Sequence, residues 1–324
     1  MDSNSTIASA AVISSPEFEK TQTCAWTVEQ QMQEVETRWM GLQMLIRAPI
    51  SFSPRPTDVI IVTSLKSGTT WTAHICHQIR TKGAEPDFEN QIPDVIMTFE
   101  IAHLLIKDGT LDALIQPAEP RIFFTHHEYS TIPKGGKLIY CFRDQKDALY
   151  SNYMFQDTLL WLKERVISLP VFAEVITKKF QWTANSLRDL LVWWEHRHDK
   201  DVLLLFFDDL KEDHAGCVKR IAKFMGVDCD EETIARIVHT TTHAEMVKHH
   251  SKFDNHNFIT ANPSSELTGR VRKDGGKTGD GKKLLPPDVQ QSIDQEWQDI
   301  ITTKLGYGDL NEMRTAWKKE IDKV

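Results

Sequence analysis

The sequence predicts an α/β fold in a single domain, with a central, mainly parallel β-sheet flanked by helices. Two observations carry this prediction. Four short apolar runs, rich in β-branched and aromatic residues, have the composition of strands that are buried on both faces. Stretches with helical spacing separate these runs, and strands that alternate with helices favour a parallel sheet. The predicted strands cover residues 58–63, 121–126, 137–142 and 202–207.

Each other element also follows from a local pattern. Apolar residues recur at helical spacing over 27–47, and the prolines of the 49–56 segment stop that helix before the first strand. Residues 251–283 mix Asn, Ser, Gly, Lys and Asp without clear periodicity, which predicts a long loop, and Pro286-Pro287 opens a final helical region. The remaining predicted helices cover 71–75, 95–106, 110–116, 145–165, 170–180, 182–199, 213–225 and 231–247.

The 324 residues suit one large α/β domain, and we assign residues 25–324 to it. Residues 1–24 are rich in Ser, Thr and Ala and are expected to form a disordered tail. No basic segment followed by an apolar core is present at the N-terminus, so no signal peptide is predicted. No apolar run has the length of a membrane span. We therefore expect a cytoplasmic protein.

Charge and cysteine content narrow the function classes. The formal net charge of −8 argues against a broad nucleic-acid surface, so an anionic ligand would need a local basic pocket. The five cysteines are odd in number and lack the paired short spacings of zinc or redox motifs, which favours reduced thiols. No cysteine or carboxylate spacing completes a metal site with the histidines, and no metal is predicted.

The first predicted strand ends in a small polar turn, Lys66-Ser67-Gly68-Thr69-Thr70-Trp71. Gly68 permits a tight turn, and the two threonines can cap the helix that follows. A helix N-terminus with free N–H groups, a lysine and two hydroxyls binds phosphate, so a P-loop-like strand-loop-helix site is predicted. The nucleoside-triphosphate P-loop itself does not match, because Lys66 precedes Ser67-Gly68 and no glycine lies upstream at the strand end.

Three further groups could bind or activate a substrate. His126 lies at the C-terminal end of the second strand, where ligands bind in open α/β sheets, and histidine suits a general base. Arg143 ends the third strand and Ser151 lies two turns into the next helix, so both can face one phosphate. Residues 269–283 form a basic, glycine-rich cluster. Each group also has a purely structural interpretation. His126 could be a core histidine, Arg143 could form an ion pair with a neighbouring aspartate, and residues 269–283 could be a solvated run of charges.

The four motifs together indicate a protein family more specifically than any one of them alone. The Lys66 loop, the strand-end Thr125-His126, Arg143 with Ser151, and the late basic loop occur in the order found in the cytosolic sulfotransferases. The sequence resembles that family over roughly residues 30–307. The resemblance implies transfer of a sulfuryl group from 3′-phosphoadenosine 5′-phosphosulfate (PAPS) to a small-molecule alcohol, phenol or amine. It implies no metal, no covalent enzyme intermediate, and 3′-phosphoadenosine 5′-phosphate (PAP) as product.

The resemblance also implies a role for each residue. His126 would remove the proton of the acceptor, while Lys66 and the loop N–H groups would stabilise charge on the leaving phosphate. Thr69 and Thr70 would bind the 5′-phosphate, and Trp71 would stack on adenine. The implied ligands of the 3′-phosphate are Arg143, Ser151, Arg272 and Lys273. The complete implied nucleotide site is Lys66, Ser67, Gly68, Thr69, Thr70, Trp71, Arg143, Ser151, Phe207, Thr241, Arg272, Lys273 and Gly275.

Several positions depart from the family pattern. Phe124 stands where a lysine usually precedes Thr-His, Phe207 replaces a tyrosine, and Gly281 replaces a tryptophan. The short C-terminal dimer segment of the family is not present near Lys283, so no oligomeric state is predicted. The departures leave open a catalytically silent nucleotide-binding protein. A metal-dependent, P-loop-like nucleotide kinase is a further alternative.

Overall fold

The computed structural model describes residues 26–84, 88–89, 91–100, 102, 111–159, 167–253, 271 and 277–322, and of residues 92, 93 and 156–159 the backbone alone. The predicted tail at 1–24 lies outside them. The strands are β1 (Val59–Thr63), β2 (Met97–Thr98), β3 (Ile122–Thr125), β4 (Lys137–Phe142) and β5 (Val202–Phe206). They form one sheet in the order β2-β3-β1-β4-β5, and every neighbouring pair is parallel. The predicted α/β fold with a parallel sheet is confirmed.

Helices lie in the β1–β2 and β4–β5 connections and after β5, whereas the described residues between β2 and β3 and between β3 and β4 contain 3-10 turns. None of the helices, within the described part of the chain, is long and apolar enough to cross a membrane. Two π-helical turns, Val175–Lys179 and Gln298–Thr302, join neighbouring helices. The helices are α1 (Val28–Ile46), α2 (Thr69–Arg80), α3 (Gln91–Asp94), α4 (Gln145–Leu159), α5 (Leu169–Glu174), α6 (Trp182–Glu195), α7 (Phe207–Glu212), α8 (His214–Met225), α9 (Glu231–Thr240), α10 (His243–Lys248), α11 (Asp280–Leu284), α12 (Pro287–Trp297), α13 (Thr303–Leu305) and α14 (Leu310–Ile321).

Apolar clusters cover both faces of the sheet, because alternate residues of a strand point to opposite sides. Val59 and Ile61 of β1 pack with residues of α2 and α8 in one cluster. Ile60 and Val62 belong to a second cluster with Trp193 of α6. Since both faces are buried, β1 is apolar at nearly every position, which explains why the sequence shows a continuous run rather than an alternating pattern. A third cluster joins α1, α4, α5 and α12.

Two of the predicted helices are wrong in part. The 95–106 pattern contains β2, because Met97 and Thr98 pair with Phe123 and Phe124 of β3, and strand pairing overrides the local spacing. Within 110–116 the described structure is a single 3-10 turn at Leu111–Ala113.

Other boundaries also differ from the prediction; the helix predicted at 182–199, for example, ends at Glu195. The 231–247 helix is divided after α9, because Thr241 Oγ1 donates to Ile237 O (2.7 Å) and Thr242 Oγ1 caps α10. Phe207, predicted as a strand residue, begins α7. Of the loop predicted at 251–283, residues 280–283 belong to α11, whereas 254–270 and 272–276 lie outside the described residues.

The topology assembles the site at one edge of the sheet. Because β1, β3, β4 and β5 are all parallel, their carboxyl ends meet there, and Val62 lies level with Thr125 in the register. Ligands of open α/β folds bind outside this edge. The residues that leave it at the strand ends include Lys66, His126, Arg143 and Phe207.

Candidate active site

The loop between β1 and α2 turns on two residues with left-handed backbone. Gly68 has φ 99° and is the N-cap of α2, and Lys66 has φ 65°, a conformation that costs a non-glycine residue on the order of 1 kcal/mol or more. A Cβ on Gly68 would lie 2.8 Å from Cδ2 of the Phe207 ring. Glycine is therefore required by both the backbone and the packing, and the loop delivers the N-terminal N–H groups of α2 to the sheet edge.

Ser67 supplies an observation that fits an anionic ligand. Its hydroxyl is fully buried and has no hydrogen-bond partner among the described residues. Buried hydroxyls are nearly always satisfied, so an orphan at a helix N-terminus fits a site that a phosphate oxygen would complete. The neighbouring Thr69 Oγ1 lies 2.6 Å from Thr63 Oγ1, which fixes the start of α2 to the end of β1.

His126 is held at the end of β3 through its ring and its backbone. Its Nδ1 lies 2.9 Å from the carbonyl oxygen of Thr63 and 3.4 Å from Thr63 Oγ1. A carbonyl oxygen only accepts hydrogen bonds, so this contact requires the proton on Nδ1. The lone pair of the neutral ring is then on Nε2, which is the arrangement that a general base needs.

Glu100 is a buried residue of this site that sequence reasoning missed. Its carboxylate accepts the backbone N–H of His126 (2.5 Å) and the hydroxyl of Thr125 (2.9 Å), and the hydroxyl of Thr98 donates to its second oxygen. These bonds fix the turn that carries His126 to the end of β2. The signal that could have revealed it is a lone acid in the otherwise apolar 95–100 stretch.

Phe124 and Lys66 lie at the strand ends, and each contacts an aromatic ring. The Phe124 ring is buried in the core cluster on the α2 side of the sheet, with His126 at 6.0 Å between ring centroids. Lys66 Nζ lies 3.6 Å from the centroid of the Phe155 ring, a cation–π contact. The ammonium group of Lys66 is thus placed beside α4, the helix that follows Arg143.

Arg143 and Ser151 are both buried where β4 leads into α4. Arg143 Nη1 donates to the carbonyl oxygen of Lys66 (3.0 Å), and its guanidinium lies 4.5 Å from the centroid of the Phe207 ring. Asp144, one candidate for the predicted ion pair, accepts the backbone N–H groups of Lys146 and Asp147 and so caps α4. Arg143 therefore connects the loop between β1 and α2 with the end of β4.

An aromatic contact next to the loop involves Trp71 and Phe207, and Thr241 binds the indole of Trp71. Trp71 Nε1 donates to the carbonyl oxygen of Thr241 (2.8 Å), and its indole meets Phe207 edge-on at 5.6 Å. Thr241 is fully buried, and its hydroxyl bonds to Ile237 O and His214 Nε2. The Thr241 hydroxyl is thus used by hydrogen bonds within the protein, and Thr241 contacts Trp71 through its carbonyl group.

The C-terminal part of the predicted site is described only at its end. Arg272, Lys273 and Gly275 lie outside the described residues. Gly281 is described and buried, and a Cβ there would lie 2.2 Å from the carbonyl carbon of Lys146. The tryptophan usual at this position in the family has no room here. Among the residues that the structure describes, no group of three His, Cys, Asp or Glu side chains is placed to hold a metal.

Comparison with known proteins agrees with this geometry. The family model described as sulfotransferase domain matches residues 56–306. Sulfotransferase 1E1 of Homo sapiens is 30% identical over 259 residues, which cover 76% of this chain and 85% of that protein. Sulfotransferase 1B1 of Mus musculus is 29% identical over 253 residues, which cover 75% of this chain and 82% of that protein.

Solved structures show the same fold. Retinol dehydratase in complex with androsterone and PAP superposes with a TM-score of 0.63 at 19% identity, over 83% of this chain and 86% of that one. Mouse sulfotransferase SULT7A1 complexed with PAP gives a TM-score of 0.59 at 22% identity, over 86% of this chain and 95% of that one. The predicted fold and the predicted reaction class, sulfuryl transfer, are confirmed. The sulfotransferase family model covers most of the length of this chain, and the relatives given above are sulfotransferases. This chain therefore belongs to the sulfotransferase family.

Proposed function

We propose that this chain transfers a sulfuryl group from PAPS to a hydroxyl or amine of a small molecule at the sheet edge described above. The observation that carries the proposal is the convergence of a phosphate loop, an oriented histidine and a buried arginine on one edge. Two of the structural neighbours are complexed with PAP, the product that such a transfer leaves.

Two anion sites would hold the nucleotide at its two ends. The N-terminus of α2 with Ser67 and Thr69 would bind the 5′-phosphate, supported by the orphaned Ser67 hydroxyl. Arg143 and Ser151 would bind the 3′-phosphate, and Trp71 would face the adenine. A chain with net charge −8 needs such a focused cluster to bind a ligand with several negative charges.

The proposed chemistry requires one proton transfer and one displacement. Nε2 of His126 takes the proton of the acceptor as the acceptor oxygen or nitrogen forms its bond to sulfur. The bond between sulfur and the bridging oxygen of the phosphate breaks, and its electron pair stays on that oxygen. Lys66 and the N–H groups of α2 stabilise the charge that the phosphate gains. Because no cation stands at Phe124, this stabilisation depends more on Lys66.

The acceptor is proposed to be a small alcohol, phenol or amine. Phe155 contacts Lys66, so the wall on that side of the reacting centre is aromatic, which favours an acceptor with apolar surface. The retinol dehydratase structure is a complex with androsterone and PAP, which supports an acceptor of this kind. A cytoplasmic location remains a prediction, which fractionation of cells that express the chain would test.

A transfer screen tests the proposed function. The protein is incubated with sulfur-labelled PAPS and a panel of alcohols, phenols and amines, and PAP binding is measured by calorimetry. We expect label on at least one acceptor and PAP binding in the absence of metal. PAP binding without transfer to any acceptor would favour the catalytically silent alternative, and failure of both measurements would overturn the proposal.

A further inference from the structure

Asp147 in the first turn of α4 binds the segment that leads into α11. Its Oδ2 accepts the backbone N–H of Gly279 (2.8 Å) and its Oδ1 accepts the backbone N–H of Gly281 (2.9 Å). The side chain is 3% exposed, so both bonds are shielded from water. Bonds from N–H groups to a buried carboxylate are among the stronger hydrogen bonds in proteins. Asp147 therefore fixes two positions of the 277–281 segment.

Two glycines allow the 277–281 segment to make this contact with Asp147. Gly281 lies so close to the backbone of Lys146 that no side chain fits, and Gly279 has φ 88°. On the other side of the segment, Lys211 Nζ donates to Thr278 Oγ1 (2.9 Å). The glycines thus let the chain approach α4 closely enough for Asp147 to reach two N–H groups.

The segment is placed next to the proposed 3′-phosphate site. Asp147 and Ser151 are four residues apart in α4, so their side chains are neighbours on one face of the helix. Arg143 enters the site from the residue that follows β4, one turn before Asp147. The 277–281 segment that Asp147 holds is therefore attached to α4 one helical turn from Ser151.

We propose that Asp147 is a positioning residue for the 3′-phosphate of the nucleotide, because it holds the 277–281 segment against α4 beside Ser151. This proposal rests on the proposed function, since it concerns the nucleotide that the site binds. Asp147 does not itself contact the phosphate, because both of its oxygens are used by N–H groups. Its role is therefore distinct from those of Arg143 and Ser151.

Replacement of Asp147 should affect only that end of the nucleotide. Asp147→Asn keeps the shape and one acceptor oxygen but presents an NH₂ group to the second N–H, while Asp147→Ala removes both bonds. We expect the affinity for PAP, measured by calorimetry, to fall about tenfold in Asp147→Asn and further in Asp147→Ala. The affinity for adenosine 5′-phosphate, which lacks the 3′-phosphate, should stay within about twofold of the unaltered protein.

Asp294→Asn is the matched control. Asp294 is exposed and pairs with Lys146 Nζ (2.7 Å), so the variant removes one charge near the same turn without touching the 277–281 segment. It should leave both affinities unchanged. Urea unfolding of each variant, read beside the binding data, shows whether the fold is retained.

The outcomes separate the inference from the proposed function. If the unaltered protein does not prefer PAP over adenosine 5′-phosphate, the proposed function fails and this inference fails with it. If that preference exists but survives in Asp147→Asn and Asp147→Ala, only the role of Asp147 is refuted. Equal loss of affinity for both nucleotides would also refute it, because Asp147 would then support the whole fold of the site.

Discussion

Arg143 is the residue proposed to bind the 3′-phosphate whose contacts are best described. It is buried, it donates to the Lys66 carbonyl, and its guanidinium lies over the Phe207 ring. Arg143→Ala should weaken PAP binding by about 1.5–3 kcal/mol, the range for a lost hydrogen bond to a charged group. Calorimetry with PAP and with adenosine 5′-phosphate checks this, and an equal loss for both ligands would contradict the assignment to the 3′-phosphate.

The placement of residues at the sheet edge could be predicted from the sequence where one short stretch carries the signal, whereas their roles stay predictions. Lys66 and Gly68 lie in a single turn, and His126 and Arg143 directly follow apolar strands whose ends the parallel sheet brings together. Glu100 could not be predicted in the same way, because its partners Thr98, Thr125 and His126 come from two strands that pair only in the folded protein. Its role follows from the three-dimensional contacts alone.

The loop between β1 and α2 is the element of the site that tolerates distortion least. In Gly68→Ala the new Cβ would meet Phe207 at 2.8 Å, and the residue would have to adopt φ 99°. We expect a stability loss of about 1–2 kcal/mol from the backbone conformation and, in addition, weaker PAP binding as α2 and Phe207 move apart. Urea unfolding and calorimetry measure the two effects separately.

Gly306→Ala provides the control for this element. Gly306 has φ 81°, lies at the end of α13 and is not among the residues proposed to bind the nucleotide, and apart from its chain neighbours no described residue lies within 4 Å of the position that a Cβ would take there. The variant should show a similar stability loss with unchanged PAP affinity. Unchanged PAP affinity in Gly68→Ala as well would show that the conformation of the loop does not control binding.

Whole elements were predicted best where burial is uniform. The buried strands β1, β3, β4 and β5 appear as continuous apolar runs, because packing on both faces leaves few polar positions. The two-residue β2 was missed because it pairs with one neighbour only and its stability comes from β3. The division between α9 and α10 was missed because threonine hydroxyls, rather than proline or glycine, interrupt the helix.

The stability of the whole molecule should depend on two buried histidines of α2. Burial lowers the pKa of His74 to about 4 and, with the nearby Arg80, the pKa of His77 to about 3. Below about pH 6.5 the unfolded chain binds protons at these positions and the folded chain does not, so the free energy of unfolding falls as the pH is lowered. Each should contribute a loss of about 2 kcal/mol between pH 7 and pH 5.

Other buried groups modify this dependence. Burial also lowers the pKa of His127 and of His214, which acts in the same direction. Burial raises the pKa of Asp189 to about 6. As the pH is lowered, this carboxyl group binds a proton in the folded chain before it does so in the unfolded chain, which offsets about 1 kcal/mol of the loss in the free energy of unfolding. Urea unfolding at the two pH values gives the net change. His74→Gln should show a smaller difference, and a protein that is as stable at pH 5 as at pH 7 would contradict the prediction.

The most direct test of the account is sulfuryl transfer from labelled PAPS by the unaltered protein and by His126→Ala, with PAP affinity measured for both. His126 is oriented by Thr63 and Glu100 with Nε2 as the basic nitrogen, and it is not among the residues proposed to bind either phosphate. The account predicts transfer by the unaltered protein, a loss of about 100-fold or more in His126→Ala, and PAP affinities within about threefold of each other. Equal transfer rates in the two proteins, or a PAP affinity that falls as far as the rate, would contradict it.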